Sequence, residues 1–194
     1  MTTLAIMERW LAKQSLVERA LMIGAAASAL LLAGAHIFER LGYPPCELCL
    51  DQREAHWTAL SVAVAGLAAA YLAKARLAAA ATVGALALVY ALSAGLAFYH
   101  TGVEFGFWPG PASCGAAGEI IRDGGGLGAA LGEKPTGPSC GDAAWRFLGV
   151  SMAGYNLLAS AALFLIALAA ALGAARAARQ ARRPSASFAN DAAE

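Results

Sequence analysis

Two cysteines spaced as C-x-x-C, Cys46 and Cys49, are the first residues of this sequence whose types and spacing could do chemistry. They stand in GYPPCELCLDQREAHW, residues 42–57, between two long apolar segments. Such a pair serves as a redox dithiol, as half of a zinc site or as a structural bridge. A bridge between such close neighbours closes a small ring and removes little chain entropy, which argues against a purely structural role.

Two further cysteines, Cys114 and Cys140, lie 26 residues apart in a second polar segment. They could complete a Cys₄ zinc site, but they form no second C-x-x-C, so redox chemistry is the favoured interpretation. A bridge between Cys114 and Cys140 would close a long loop, so a structural role stays open for this pair. Four cysteines allow three pairings, and the sequence does not choose among them.

A helix N-terminus or a nearby cation lowers the pKa of a C-x-x-C thiol, and this sequence supplies both. Asp51, with a glutamate three residues later, predicts an N-cap and capping box that would point the positive end of a helix at Cys49. A helix that began earlier, at residues 44–45, would instead place Cys49 and Arg53 on one face. Arg53 would then stabilise a Cys49 thiolate, although an arginine at a span end also commonly reaches lipid headgroups. Glu47, inside the motif, should work against the thiolate.

The composition is that of a membrane protein. Hydrophobic residues make up 59% of the chain and charged residues only 14%, with a net charge of +1, whereas soluble domains are about 25% charged. This charge gives no indication of nucleic-acid binding. A membrane-spanning helix needs roughly 20 apolar residues. Four windows qualify, and because backbone groups in lipid must bond within their own segment, all four should be helices: residues 20–38, 55–73, 77–103 and 147–175.

The first window also resembles a signal peptide, since Lys13 and Arg19 precede it and Ala-Gly-Ala at residues 33–35 is similar to a cleavage site. Its long apolar run and the three windows that follow favour a retained span instead. The domain organisation that we expect has three parts: residues 1–19 as a cytoplasmic arm, residues 20–175 as a four-helix transmembrane redox domain, and residues 176–194 as a basic cytoplasmic tail.

The distribution of lysine and arginine predicts the orientation of the chain in the membrane. Nine of these residues lie in the two terminal segments and between the second and third windows, and five lie in the other two connections, residues 39–54 and 98–146. Both termini should therefore be cytoplasmic, with the two other loops facing outward. All four cysteines fall in the outward loops, on the oxidising side. The sequence thus predicts an all-α integral membrane protein, a four-transmembrane-helix bundle whose outward loops each carry a cysteine pair.

Electrons that enter such a dithiol relay need an acceptor. No C-x-x-C-H haem motif is present, because Leu50 follows Cys49, and no glycine-rich dinucleotide motif follows a strand. His36 and His56 could hold one b-type haem, but haem would leave the four cysteines unexplained. A lipid-soluble electron carrier fits better, because the C-x-x-C lies at the predicted membrane surface.

Three motifs, in this order along the chain, resemble the disulfide-bond-formation protein B (DsbB) family. They are PPCELCLDQR around the first cysteine pair, FYHTGVEFGFWPGPASC up to Cys114, and C-x4-W-x-F-L-G from Cys140. The predicted spans and the loop positions of both pairs also resemble the family, over about residues 20–172. The resemblance implies an inner-membrane, quinone-dependent thiol oxidoreductase. It would reoxidise a periplasmic DsbA-like thiol oxidase and pass the electrons to ubiquinone or menaquinone.

The resemblance also implies a role for each cysteine. Cys114 would be the sulfur that the reduced DsbA-like partner attacks. Cys140 would be released by that attack and would then attack Cys46. Cys49 would become the thiolate that contacts the quinone ring, so that the electrons leave the protein at the C-x-x-C.

Two more site residues follow from the resemblance. Arg53 would lie beside the thiolate that contacts the quinone, and His100 matches a histidine near the quinone in the family. Two alternatives stay open: an oxidase dedicated to one client, and a membrane protein whose disulfides only brace its loops. Thiol trapping distinguishes the bracing alternative from a redox function, because a redox cysteine forms a mixed disulfide with a partner and a bracing cysteine does not.

Overall fold

The computed structural model describes residues 14–111, 114 and 138–181. Most of the predicted N-terminal arm, of the basic tail and of the second outward loop therefore lies outside the described residues. The all-α prediction holds for the described chain apart from one short hairpin. In chain order the elements are α1 (Leu16–Arg40), α2 (Glu47–Tyr71), α3 (Arg76–Glu104), β1 (Arg146–Phe147), β2 (Val150–Ser151) and α4 (Met152–Ala181).

Three of these helices, α1, α3 and α4, are long and apolar enough to cross a membrane. The predicted spans over residues 20–38 and 77–103 lie inside α1 and α3. Helix α2 is as long as α1, at 25 residues, but its first two turns are rich in charged side chains. The membrane span predicted over residues 55–73 falls on α2, which ends at Tyr71, and it stays a prediction.

Helix α2 begins one turn earlier than its capping pattern predicts. Cys46 is the N-cap: its backbone is extended, and its carbonyl accepts a hydrogen bond from the Leu50 N–H at 3.1 Å. The prediction of an N-cap at Asp51 is therefore wrong. The two prolines before the N-cap have no N–H to satisfy and suit a helix entrance, so the first turn closes directly after them. The earlier start places Cys49 and Arg53 one turn apart on one helical face.

The helices at the predicted outward side extend past the ends of the apolar windows. α1 continues to Arg40 and α2 begins at Glu47, so the connection between them is residues 41–46 rather than 39–54. In the same way, α3 continues to Glu104. Polar side chains at a membrane surface can reach water while the backbone keeps its helical hydrogen bonds. The helix ends therefore bring several charged groups close to the cysteines.

Helix α4 begins at Met152 rather than near residue 147, because residues 146–151 form an antiparallel hairpin. At its tip Leu148 and Gly149 have positive φ angles of 49° and 79°. Two left-handed residues in succession match the backbone twist of a two-residue hairpin loop. This turn therefore ends the extended connection and orients the start of α4.

The four helices form a closed bundle, in which α1 and α3 each pack against both α2 and α4. Small residues let the helices approach closely: a Cβ on Gly66 of α2 would collide with the side chains of Leu21 and Thr82. The interior also contains polar groups, which are costly in a membrane unless they are hydrogen-bonded, and which therefore indicate a functional region. The buried polar side chains are Ser28, Gln52, His56, Ser93, His100, Ser151 and Ser160.

Candidate functional site

A dithiol lies at the N-terminus of α2. Cys46 is the N-cap and Cys49 belongs to the first turn, and their sulfur atoms are 3.1 Å apart as free thiols. Cys46 is buried, with 6% of its surface exposed, whereas Cys49 is partly exposed. The two sulfurs are close enough for disulfide chemistry, and Cys49 is the more accessible of the two.

The surroundings separate the acidities of the two thiols. The hydrogen bond from Cys46 is the largest cause that lowers the pKa of Cys49 to about 7, against burial, and the Arg53 charge adds to the lowering. The hydrogen bond with Cys49, followed by burial, raises the pKa of Cys46. Cys46 therefore holds the proton of the pair, and Cys49 is its thiolate near neutral pH.

A disulfide between Cys114 and Cys140 packs against this dithiol. Both cysteine pairs belong to one cluster with Leu48, Val103 and Trp108. Cys140 is 1% exposed, whereas Cys114 is partly exposed and borders an open cleft of about 360 Å³ among the described residues. The structure therefore brings together all four cysteines that the sequence singled out, with one sulfur of each pair more accessible than the other.

Arg53 points across the bundle end toward α1. Its guanidinium donates to the Glu39 carboxylate at 2.6 Å and to the Ala35 carbonyl at 3.1 Å, and 14% of the side chain is exposed. These two acceptors hold the cation at the N-terminal turns of α2, where its charge lowers the pKa of Cys49. The guanidinium is thus fixed by protein groups, although the sequence also allowed it to reach for lipid headgroups.

The carboxylate that works against the Cys49 thiolate is Glu104, at the end of α3. Its side chain is 5% exposed, and its Oε2 atom is buried with no hydrogen-bond partner among the described residues. The sequence instead predicts that Glu47, inside the C-x-x-C motif, works against the Cys49 thiolate. In the structure the charge of Glu47 acts on Asp51 instead: burial, followed by the charges of Glu47 and Glu54, raises the pKa of the Asp51 carboxyl. Glu104 was missed because sequence spacing does not reveal that the end of α3 folds onto the start of α2.

His100 also belongs to the site, with its side chain 3% exposed. Its Nδ1 atom is 2.7 Å from the Gln52 amide nitrogen, and its Nε2 atom is 3.6 Å from the Cys46 sulfur and 3.9 Å from Glu104 Oε1. The potential ligand atoms of Cys46, Cys49 and His100 all lie within 4.8 Å of one another, close enough to hold a metal ion. Whether His100 can serve as a ligand depends on which ring nitrogen carries its proton.

A chain of buried and partly buried hydrogen bonds leads from His100 into the bundle, and sequence reasoning did not find it. Gln52 accepts a hydrogen bond from the Asn156 amide at 2.6 Å, and Asn156 Oδ1 is 2.7 Å from His56 Nε2. His56 Nδ1 is 3.3 Å from Ser28 Oγ. The available signal was the presence of polar residues inside apolar windows, which marks functional groups in membrane proteins. Their partners lie up to 104 residues apart in sequence.

The haem alternative does not fit these contacts. Both ring nitrogens of His56 have hydrogen-bond partners within the bundle. His36 lies on α1 with 49% of its side chain exposed, and its Nδ1 is 3.6 Å from a Glu39 carboxylate oxygen. An axial haem ligand needs a free ring nitrogen, so these two histidines are not arranged as a ligand pair.

Comparison with known families decides the assignment that the motifs and the two cysteine pairs suggest. A family model described as "Disulfide bond formation protein DsbB" matches residues 17–181. The chain belongs to the DsbB family. The resemblance found in the three motifs is thereby confirmed, and this DsbB family member is a membrane oxidoreductase of disulfide bond formation. No curated protein and no solved structure matches the chain.

The lowered pKa of Cys49 predicts how the reduced DsbB family member reacts with iodoacetamide. The thiolate is the reactive form, so the alkylation rate at Cys49 should rise with pH and reach its half-maximal value near pH 7. In the Arg53→Met variant the midpoint should move upward, because a cation that favours the thiolate is lost. Mass spectrometry of the alkylated peptide measures both rates.

The matched control is Arg40→Met, which removes a cation from the end of α1 and should leave the midpoint in place. An alkylation midpoint at or above about pH 8.5, the ordinary cysteine pKa, would contradict the assignment of Cys49 as a lowered-pKa thiol. An unchanged midpoint in Arg53→Met would show that the guanidinium does not act on this thiol.

Proposed function

We propose that this DsbB family member oxidises a periplasmic DsbA-like dithiol protein and transfers the two electrons to a membrane quinone, which sustains disulfide bond formation. The observation that carries the proposal is the packing of the Cys114–Cys140 disulfide against the Cys46–Cys49 dithiol in one cluster. Thiol–disulfide exchange requires only that a thiolate reach a disulfide sulfur. Two pairs in contact therefore form a relay without a further carrier.

The exposure of the sulfurs supports a direction for the relay. A thiolate of the reduced partner would attack Cys114, which is partly exposed, and the bond to the buried Cys140 would break. The Cys140 thiolate would then attack Cys46 in the oxidised C-x-x-C, with which it shares the cluster. Cys49 would leave as a thiolate, and its pKa of about 7 suits a leaving group.

The residues at the start of α2 fit a quinone. Cys49 offers a partly exposed thiolate, and the Arg53 cation is held within range of it, so an electron-accepting ring with carbonyl oxygens finds a donor and a hydrogen-bonding cation here. Cys49 and Arg53 would hold the quinone, with His100 beside Cys46. When bound, a quinone supplies a two-electron acceptor that takes up two protons. Ubiquinone and menaquinone share this chemistry.

The same proposal places the protein in the bacterial inner membrane. Both termini would be cytoplasmic, and both cysteine pairs would face the periplasm, as the lysine and arginine distribution predicts. Residues 20–175 would be the redox unit, and the periplasm is the compartment in which such disulfides persist.

A coupled assay tests this function. Purified protein is mixed with a reduced DsbA-like oxidase and quinone, and the quinone absorbance is followed together with the thiol content of the oxidase. We expect quinone to be consumed one for one with oxidised partner, because each disulfide releases two electrons. Quinone consumption without partner oxidation, or the reverse, would contradict the proposal.

Trapping tests the entry point of the relay. When the wild-type protein is mixed with quinone and a reduced DsbA-like partner whose second active-site cysteine is replaced by alanine, the partner should remain attached through a mixed disulfide to Cys114, since it has no thiol left to resolve the bond. The matched control is the variant with both Cys114 and Cys140 replaced by alanine, which should trap nothing. If the wild-type protein traps no such partner and its native cysteine pairs stay intact in cells, the disulfides only brace the loops.

A further inference from the structure

The backbone carbonyl of Leu48 determines the direction of the buried hydrogen-bond chain. The Gln52 side-chain amide lies 3.1 Å from this oxygen. A carbonyl oxygen can only accept, so the atom of Gln52 that faces it must be the amide nitrogen. The same nitrogen is 2.7 Å from His100 Nδ1, and its second hydrogen points there. His100 Nδ1 therefore accepts a hydrogen bond.

The rest of the chain agrees with this direction. With its nitrogen assigned, Gln52 presents its oxygen to Asn156, which donates from its own amide nitrogen at 2.6 Å. The Asn156 oxygen then accepts from His56 Nε2 at 2.7 Å, and His56 Nδ1 accepts from Ser28 at 3.3 Å. Each group has one assignment that satisfies both of its neighbours, so amide orientation and histidine tautomer follow from a single backbone oxygen.

We propose that Gln52, oriented by the Leu48 carbonyl and by Asn156, is a positioning residue that keeps the proton of neutral His100 on Nε2 and so commits this nitrogen to donate to Cys46. The Nε2 atom faces the Cys46 sulfur at 3.6 Å. The other groups that face His100 are Glu104, whose Oε1 is 3.9 Å from Nε2, and the backbone of Cys140. All three can accept a hydrogen bond, which agrees with a donor at Nε2.

This assignment has two chemical consequences. A hydrogen bond donated to sulfur becomes stronger when the sulfur gains negative charge, so His100 would stabilise Cys46 while it exchanges disulfide partners. A protonated Nε2 also has no lone pair for a metal ion, so Gln52 would prevent Cys46, Cys49 and His100 from acting as a metal site. The first consequence rests on the proposed relay, but the tautomer itself does not.

Nitrogen NMR tests the tautomer without quinone or partner. The full-length reduced protein is labelled with ¹⁵N-histidine in detergent and measured at about pH 8.5, well above the ordinary histidine pKa of about 6.5. The His100 signals are identified by their loss in a His100→Gln variant. We expect the Nε2–H tautomer in the wild-type protein. The Nδ1–H tautomer, or an equal mixture of the two, would overturn the proposal.

Substitution of Gln52 tests its part in the assignment. In Gln52→Glu a carboxylate replaces the amide donor, so Nδ1 should become the donor and His100 should change to the Nδ1–H tautomer. The matched control is Ser160→Ala, which removes a 3.3 Å contact to Asn156 Oδ1 outside the chain that leads to His100 and should leave the tautomer unchanged. A Gln52→Glu protein that keeps the Nε2–H tautomer would exclude Gln52 as the positioning residue. The wild-type spectrum decides the tautomer even if the variant does not fold.

Discussion

A Cys49→Ser variant should lose quinone reduction while its Cys114–Cys140 disulfide stays intact. Serine has nearly the same shape, but its hydroxyl forms no disulfide and does not ionise near neutral pH. Cys49 is the partly exposed sulfur of the dithiol and has a pKa of about 7, so in the proposed relay it would be the group that passes electrons to the quinone. We expect the rate to fall at least about a thousandfold, as for other enzymes that lose a catalytic nucleophile.

The quinone absorbance assay measures this loss, and mass spectrometry of the unreduced protein checks the second disulfide. Leu50→Ser is the matched control: it places the same side chain at the next position, on a residue that is 46% exposed, and should keep the wild-type rate. A Cys49→Ser protein that reduces quinone at the normal rate would show that the electrons leave through another group.

An Asn156→Leu variant should be less stable by about 2–4 kcal/mol, because it leaves two buried partners unsatisfied at about 1–3 kcal/mol each. Asn156 donates to Gln52 Oε1 on α2 and accepts from His56 Nε2 on the same helix. Single interhelical hydrogen bonds in membrane proteins average only about 0.6 kcal/mol. The larger value is expected here because one substitution leaves both an acceptor, Gln52 Oε1, and a donor, His56 Nε2, without a hydrogen-bond partner inside the bundle.

Reversible unfolding in mixed detergent micelles, followed by circular dichroism, measures this free energy. Thr101→Val is the matched control, since among the described residues the Thr101 hydroxyl bonds only to the Ala97 carbonyl of its own helix. That variant should stay within about 0.5 kcal/mol of the wild type. Equal stabilities for the two variants would mean that the buried chain contributes nothing to the packing of the helices.

The features that the sequence predicted well depend on local patterns. Of the four long apolar windows that predict membrane spans, three fall on helices that can cross a membrane, because the need to satisfy backbone groups in lipid acts within each segment. The C-x-x-C spacing and the three motifs indicated the DsbB family, which the family match confirms. The sequence predicts the early start of α2 only as an alternative, since a capping pattern at Asp51 competes with two prolines nearby, and the structure has the early start.

The partners of the site residues could not be predicted in the same way. Arg53 binds Glu39 and the Ala35 carbonyl, and nothing in the spacing of these residues shows that α1 and α2 present them to each other. Glu104 acts on Cys49 from the end of another helix. The hairpin before α4 depends on two left-handed residues, one of which is a leucine that carries no turn signal.

The sequence by itself determined that this is a helical membrane protein with two cysteine pairs and that it resembles the DsbB family. These properties follow from composition and short-range spacing, which do not depend on how the helices pack. Only the tertiary structure decided which sulfur of each pair is accessible, which groups raise the pKa of the Cys46 thiol, and which nitrogen of His100 faces Cys46. Burial and hydrogen-bond direction set these properties, and both arise from contacts between helices that are distant in sequence.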